Sequence, residues 1–187
     1  MPAIRKSVRS SLVAFEVKPF DPQLYRQQTR RSTLLVAATF VLLTLLCSTL
    51  AVKLFGLPGG DNFRLNIAGV IVALVLTIAL VRGVFWSQPW MAAAVYSWQL
   101  KRSLMRITNV MHHVTAGVRV EDPLSMKILR FYHLGVSQMH LLDGNSSEHV
   151  QMLAEIDQHQ QKMTTLGIEL DQSRFDSEWI KQLERRA

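Results

Sequence analysis

The sequence predicts an all-α membrane protein in which a two-helix transmembrane hairpin is followed by a cytosolic helical bundle. Two long apolar runs lie close together, basic residues flank them unevenly, and helix-start signals recur through the rest of the chain. Of the 187 residues 49% are hydrophobic and only 19% are charged, which is more apolar than an average soluble domain. The single cysteine excludes an internal disulfide framework.

The two apolar runs have the length of membrane spans. Residues 33–52 are 20 residues without a formal charge, and residues 65–81 are 17. At about 1.5 Å per residue, the first run crosses a hydrocarbon core of roughly 30 Å, and flanking aromatic residues extend the second. Neither run has the polar face that a helix in a soluble core normally shows. A long basic segment precedes the first run, so we interpret it as an uncleaved helix rather than a signal peptide.

Basic residues predict the orientation. Six lie near the outer ends of the runs and only two, Lys53 and Arg64, lie in the linker between them. The positive-inside rule therefore places both termini in the cytoplasm. We expect three segments, namely a basic cytosolic N-terminal tail with the start of the first helix (1–31), the hairpin (32–86) and a cytosolic α-helical region (87–187).

Small side chains recur at helical spacing on both spans and predict where the helices pack. Close approach through small residues is the usual basis of helix association in lipid. A homodimer could use the same stripes, which consist of Thr33, Ala37, Thr44 and Ser48 on the first span and Gly69, Ala73 and Thr77 on the second.

The net charge of +7 is concentrated beside the spans. Attraction to anionic lipid headgroups explains this concentration, and we expect no nucleic-acid partner because the charge of the C-terminal region is nearly balanced. The predicted headgroup contacts are Arg26, Arg30, Arg31, Arg82, Trp86 and Trp90.

Capping signals divide the remaining sequence into helices. A carboxylate precedes a proline at Asp21-Pro22 and again at Asp122-Pro123, which predicts helix starts there, the first helix running on into the membrane. Another helix is expected from Pro89 to Gly117. The later signals predict a helix end at 143–145, a capping Ser146 or Ser147, an end at Gly167 and a short last helix after Asp176. No alternating pattern occurs, so no strand is predicted.

One helix carries more apolar side chains than a single core face can bury. Aromatic, Met and Arg residues are enriched at interfaces, so we predict contact with a protein partner or a second copy. The alternative is that this helix lies flat on the membrane. The surface consists of Trp98, Lys101, Arg102, Met105 and Arg106.

No catalytic, phosphate-binding or metal-binding motif is found, so we expect neither an enzyme nor a cofactor. The histidines are poorly spaced for one metal ion, although a bundle could bring His113, His133 and His140 together.

Several stretches resemble a known family. They include FDPQLYRQQTRRSTLL, GGDNFRLNIAGV, PWMAAAVYSWQLKRSLMRITNVMHHV, MKILRFYHLGVSQMHLLDGN and FDSEWI. From about Phe15 onward the chain is similar to a bacterial family of small inner-membrane proteins known as domain of unknown function 3087. The resemblance implies a two-pass membrane protein with a helical cytosolic region and assigns no activity and no site residue.

The functional hypothesis is therefore a non-enzymatic, membrane-anchored binding or scaffolding protein. Two alternatives stay open at this point. One is an accessory subunit of a multi-chain transporter or respiratory assembly, and the other is a hydrolase or metal-dependent enzyme that uses the bundle histidines.

Overall fold

The computed structural model describes residues 13–144 and 146–186. Over these residues the chain forms seven α-helices and one two-stranded antiparallel sheet, so the predicted all-α class is confirmed. The elements are β1 (Val13–Glu16), α1 (Pro22–Phe55), α2 (Phe63–Gly83), α3 (Ala92–Asn109), α4 (Met111–Arg119), α5 (Pro123–Asp143), α6 (Ser146–Thr165), β2 (Arg174–Asp176) and α7 (Ser177–Glu184). Two short 3-10 turns, Phe85–Ser87 and Pro89–Met91, lie between α2 and α3.

The predicted helix starts with side-chain caps are confirmed. The Asp21 carboxylate accepts hydrogen bonds from the backbone N–H groups of Gln23 and Leu24, each at 2.8 Å. Asp122 and Asp176 cap α5 and α7 in the same way, with N–H to oxygen distances of 2.9 Å. Such carboxylates satisfy donors that have no partner inside the helix. Whether Ser146 or Ser147 caps α6 concerns side chains outside the described residues.

Two helix ends are set by left-handed glycines, as expected. Gly144 has φ 76° after α5, and Gly167 has φ 66° after α6. Side chains other than glycine rarely adopt this conformation, so the helix ends there.

The prediction of a single helix from Pro89 to Gly117 is wrong, because the structure divides this segment. It starts with a 3-10 turn, is interrupted at Val110, and continues as α4 to Arg119. No proline or glycine marks the interruption. Val110 is itself buried, as are Ile107 before it and Val114 after it, so packing outweighs local propensity. Gly117 does not end α4. A Cβ there would clash with the Ser125 side chain, so this glycine permits close packing against α5.

The sheet was not predicted from the sequence. β1 and β2 pair antiparallel, with Phe15 opposite Phe175 and Glu16 opposite Arg174. The Arg174 Nε lies 3.0 Å from the Glu16 Oε1, and the Val17 N–H extends the pairing by donating to the Ser173 carbonyl. Strands of four and three residues are too short to show an alternating hydrophobic pattern.

An aromatic cluster holds this sheet against the helices. Phe131 and Phe175 are fully buried with ring centroids 5.0 Å apart, and Phe15 lies 6.5 Å from Phe131 and 5.3 Å from Tyr96. The Lys18 N–H donates to the Tyr96 hydroxyl at 3.0 Å. The other large, fully buried side chains of this unit are Leu100, Ile107, Val114, Met126, Ile128, Leu142 and Met163.

Part of the segment predicted as an N-terminal tail therefore belongs to a folded unit. Residues 13–24 fold together with residues 96–186 as one unit, and residues 25–95 form the other. The prediction of a basic tail before residue 13 lies outside the described residues. We call the first unit the closed domain and the second the hairpin unit. The hairpin unit is an insertion within the sequence of the closed domain.

In the hairpin unit, α1 and α2 contain the predicted spans and are joined by residues 56–62. Both helices are long and apolar enough to cross a membrane. The Asn62 side chain organises the connecting loop, since its amide donates to the carbonyls of Leu57 and Gly60 and its oxygen accepts from the Leu57 N–H.

The two helices approach most closely at Gly69. A Cβ at this position would lie 2.5 Å from the Ser48 Cα, and the Ser48 hydroxyl donates to the Asn66 Oδ1 at 2.7 Å. Gly69, Ala73 and Thr77 are the buried residues of α2.

On α1 the predicted small-residue stripe is only partly covered. Ser48 and Thr44 are half-buried, but Thr33 and Ala37 are exposed. The half-buried positions in this part of α1 are instead Val36, Thr39 and Phe40. In an antiparallel pair that matches Ser48 with Gly69, Phe40 stands level with Thr77, so a large residue occupies this level of α1.

We expect Phe15→Ala to destabilise the closed domain by about 3–5 kcal/mol, because it removes a buried aromatic side chain and leaves a cavity. Chemical unfolding of the full chain in mild detergent measures this change. Val120→Ala, at a residue that is 78% exposed, is the control and should stay within about 0.5 kcal/mol of wild type. Equal stability of the two variants would mean that β1 is not part of the domain.

We expect Gly69→Leu to separate α1 from α2, because a side chain cannot be placed 2.5 Å from the Ser48 backbone. Leu76→Ala, at a residue that is 43% exposed, should be tolerated. Thermal unfolding in detergent, followed by circular dichroism, compares the two variants. Indistinguishable melting curves would exclude Gly69 as the point of contact.

Candidate functional site

The predicted interaction residues lie on one face of α3 in the closed domain. The inner face of α3 is buried through Tyr96, Leu100, Leu104 and Ile107. The opposite face is exposed, and we call it the α3 outer face. It consists of Trp98, Lys101, Arg102, Met105 and Arg106.

The α3 outer face combines large apolar side chains with cations. Trp98 is 45% exposed and Met105 is 65% exposed, which is unusual for side chains of this size. The Arg102 guanidinium carbon lies 4.9 Å from the centre of a Trp98 ring, a cation–π distance. The Lys101 ammonium lies 3.5 Å from an oxygen of Asp143, near the end of α5. The arrangement is suited to binding an anionic surface that also accepts apolar side chains.

The predicted headgroup residues belong to the hairpin unit. Arg26, Arg30 and Arg31 are exposed on α1, and Arg82 is exposed near the end of α2. Trp86 and Trp90 are half-buried in the 3-10 turns that follow α2. Because α1 and α2 are antiparallel, the start of α1 and the end of α2 belong to the same end of the hairpin.

The histidines that the sequence suggested for a metal site do not meet. Among the described residues, no three His, Cys, Asp or Glu side chains converge to hold a metal ion. His133 on α5 instead faces His159 on α6, with ring centroids 5.3 Å apart and perpendicular rings. Both are buried, at 5% and 6% exposure. The burial of His159 could have been predicted from the sequence, because this residue lies at helical spacing from the apolar residues Ile156 and Met163.

The two histidines differ in hydrogen bonding. The His159 Nε2 lies 3.0 Å from the Met126 carbonyl oxygen, which can only accept, so this nitrogen carries the proton. The His133 Nδ1 is buried and has no hydrogen-bond partner among the described residues.

The environment keeps both rings neutral. Burial, the neighbouring His159 and the Arg130 guanidinium together lower the pKa of His133 to about 4. Burial also lowers the pKa of His159, against the opposing effect of its hydrogen bond to Met126. Arg130, whose Nε–H donates to the Leu170 carbonyl at 3.2 Å, adds positive charge beside both rings. The pair is thus an uncharged polar contact inside the core.

A shallow groove at the start of α5 was not anticipated from the sequence. Its volume is about 370 Å³, and Asp122, Leu124, Lys127, Trp179 and Arg186 contribute to its lining. The Arg186 guanidinium lies 3.2 Å from the Asp122 carboxylate. The groove depends on α7, which is distant in sequence from α5, so no local pattern could indicate it.

Comparison with known proteins assigns the family but no activity. Residues 15–180 match the family described as protein of unknown function (DUF3087), and the chain belongs to this family. No curated protein and no solved structure matches the chain.

We expect acid to destabilise the closed domain through His133. A histidine with a pKa of about 4 when folded and near 6.5 when unfolded binds more protons in the unfolded state between these values. The free energy of unfolding is therefore unaffected by this histidine above about pH 6.5. As the pH falls toward 4, preferential protonation of the unfolded state lowers the free energy of unfolding by about 3 kcal/mol in total. His133→Phe should lose less stability over this range. Chemical unfolding in detergent at a series of pH values measures it.

His112→Asn is the matched control, because His112 is exposed on α4. It should follow the wild-type pH dependence. If His133→Phe follows that same curve, protonation of His133 does not control acid stability.

Proposed function

We propose that the chain is a two-pass protein of the bacterial inner membrane. The hairpin unit anchors the closed domain, which acts on the cytoplasmic side as a non-enzymatic binding or scaffolding element. The observation that carries this proposal is that residues 13–24 and residues 96–186, which lie on either side of the hairpin in the sequence, fold as one unit.

The surface of the hairpin unit supports membrane insertion. Large aliphatic side chains are exposed on both helices outside the face through which the helices pack, and such an area far exceeds the apolar patches that soluble proteins leave in water. Lipid hydrocarbon would cover it without further protein. The exposed side chains include Leu34, Leu35, Val41, Leu42, Leu45, Leu46 and Leu50 on α1, and Ile67, Val70, Ile71, Val72, Leu74, Val75, Leu76 and Ile78 on α2.

The closed domain supports an even number of spans. β1 precedes α1, and β2 follows α2, yet the two strands pair directly. A chain that crossed the membrane once would place these strands on opposite sides, where they could not form hydrogen bonds. Two crossings return the chain to the side from which it started.

The charges that flank the hairpin support a cytoplasmic location of the closed domain. Exposed Arg26, Arg30, Arg31 and Arg82 lie at the end of the hairpin that joins the closed domain, while only Lys53 and Arg64 lie near the opposite loop. Loops retained in the cytoplasm carry the excess of Lys and Arg.

A binding role fits the surfaces better than catalysis. The buried His133 and His159 form an internal contact of the core, whereas the α3 outer face presents an exposed tryptophan, an exposed methionine and three cations. A protein partner or a second copy would bind to the exposed surface of the closed domain. The sequence of this domain from residue 13 contains 12 basic and 13 acidic residues, which gives no support to a nucleic-acid partner.

We expect co-purification to identify the partner. Extraction in mild detergent and affinity purification of the full chain should yield one stoichiometric protein, or a defined homo-oligomer. Recovery of a monomer without a partner, at expression from the native locus, would contradict the scaffolding role.

We expect Asp61→Cys, in a Cys47→Ala background, to react with a membrane-impermeant thiol reagent added to intact spheroplasts, because the hairpin loop lies on the outer side. Ser173→Cys in the same background should react only after the cells are permeabilised. Labelling of Ser173→Cys in intact cells, without labelling of Asp61→Cys, would reverse the orientation.

A further inference from the structure

The charges of the chain are strongly segregated. Residues 22–120 contain ten basic residues and a single acidic one, Asp61, which lies in the hairpin loop. Eleven of the 14 acidic residues follow residue 120. All of α3 and α4 therefore lies in a stretch without acidic residues, 62–120. Within this stretch, the α3 outer face presents three cations on one side of a helix.

The inner face of α3 cannot bind a partner, because it is part of the core of the closed domain. Leu100 and Leu104 are buried and lie against Gly135 of α5, where a Cβ would come 2.8 Å from Leu104. Contacts of α3 with another molecule must therefore use its exposed side chains, which include the α3 outer face.

The composition of the α3 outer face fits a lipid headgroup region. Its cations complement anionic phosphates, while Trp98 and Met105 can insert between the headgroups, where tryptophan is favoured. The Arg102 guanidinium over the Trp98 ring keeps the charged and the apolar group together. Two large apolar side chains among cations make a small core for a protein interface, which is normally depleted of charge at its centre.

Chain connectivity also favours lipid as the occupant. α2 ends at Gly83 and α3 begins at Ala92, so the linking residues can extend at most about 30 Å. If α2 spans the membrane, α3 is tethered near the surface, and a tethered ligand needs little intrinsic affinity to be bound.

We propose that the α3 outer face binds the headgroup region of an anionic bilayer. This inference rests on the proposed membrane insertion of the hairpin unit and names the lipid chemistry that the closed domain recognises. Asp143, beside Lys101, is an acidic residue at the rim of this face, so Arg102 and Arg106 supply the main attraction.

Spin labels on the full chain test the proposal. Met105→Cys carries the probe on the α3 outer face, and Leu153→Cys carries the control on α6, where Leu153 is 41% exposed. Leu46→Cys, on exposed Leu46 of α1, reports whether the hairpin is inserted. Each variant has Cys47→Ala and is reconstituted in vesicles of phosphatidylcholine alone or with phosphatidylglycerol. Relaxation of each label by a water-soluble nickel chelate measures its access to water.

We expect the chelate to relax the Met105→Cys label several-fold less with phosphatidylglycerol than with phosphatidylcholine alone, and high salt to remove the difference. Arg106→Glu should return this label to water, whereas Arg185→Glu, at an exposed residue after α7, should not. The Leu153→Cys label should stay in water and the Leu46→Cys label in hydrocarbon in every vesicle.

A Met105→Cys label that is equally accessible in both lipids would overturn the proposal. If the Leu46→Cys label is shielded in the same vesicles, the proposed membrane anchor is still supported. Equal shielding in both lipids and in detergent, with association of the chain, would also overturn the proposal, because the face would then bind protein. A Leu46→Cys label in water would instead contradict the proposed function itself.

Discussion

The pairing of β1 with β2 is the interaction on which the rest of the structure depends. It joins Glu16 and Arg174, which are 158 residues apart, and places Phe15 on Phe131 and Tyr96. Closing a domain over a long insertion costs entropy that increases only slowly with the length of the insertion. A hairpin whose ends return to one place reduces that cost further. The short sheet and the hairpin therefore support each other.

The closed domain buries polar groups as well as aromatic ones. His133 and His159 lie in the contact between α5 and α6 beside Arg130, and the pKa values of both histidines are lowered mainly by burial. A buried nitrogen without a hydrogen-bond partner, such as the His133 Nδ1 among the described residues, costs about 1–3 kcal/mol, so this contact lowers the stability of the domain by that amount. It does make the packing of α6 on α5 depend on both rings staying neutral.

Local signals in the sequence predicted the elements well, and contacts between distant residues explain where prediction failed. The caps at Asp21, Asp122 and Asp176 act within three residues of their helix starts, so the sequence alone was sufficient. The pairing of β1 with β2 depends on residues at opposite ends of the chain, and strands so short leave no pattern. The close contact of Gly117 with Ser125 arises from packing on α5. The interruption at Val110 lies at a buried residue and carries no local sequence signal.

For the candidate surfaces too, local spacing was predictable from the sequence and contacts between distant residues were not. The outer face of α3 followed from its helical spacing, because the residues that cannot share the core face must be exposed. The small-residue stripe was predicted on both spans. On α2 its residues are the buried ones, whereas on α1 Phe40 is half-buried and Ala37 is exposed. The meeting of His133 with His159 required the register of α5 against α6, which no spacing within one helix contains.

Disulfide formation across the sheet in intact membranes tests most directly whether β1 and β2, which lie on either side of the hairpin in the sequence, pair with each other. Glu16 and Arg174 are cross-strand partners, so Glu16→Cys with Arg174→Cys, in a Cys47→Ala background, places two thiols at a distance suited to a disulfide. Under mild oxidation we expect a rapid intramolecular link, and none when Glu16→Cys is combined with Lys181→Cys. Absence of the Glu16–Arg174 link in intact membranes, with both thiols reactive toward a small permeant reagent, would contradict it.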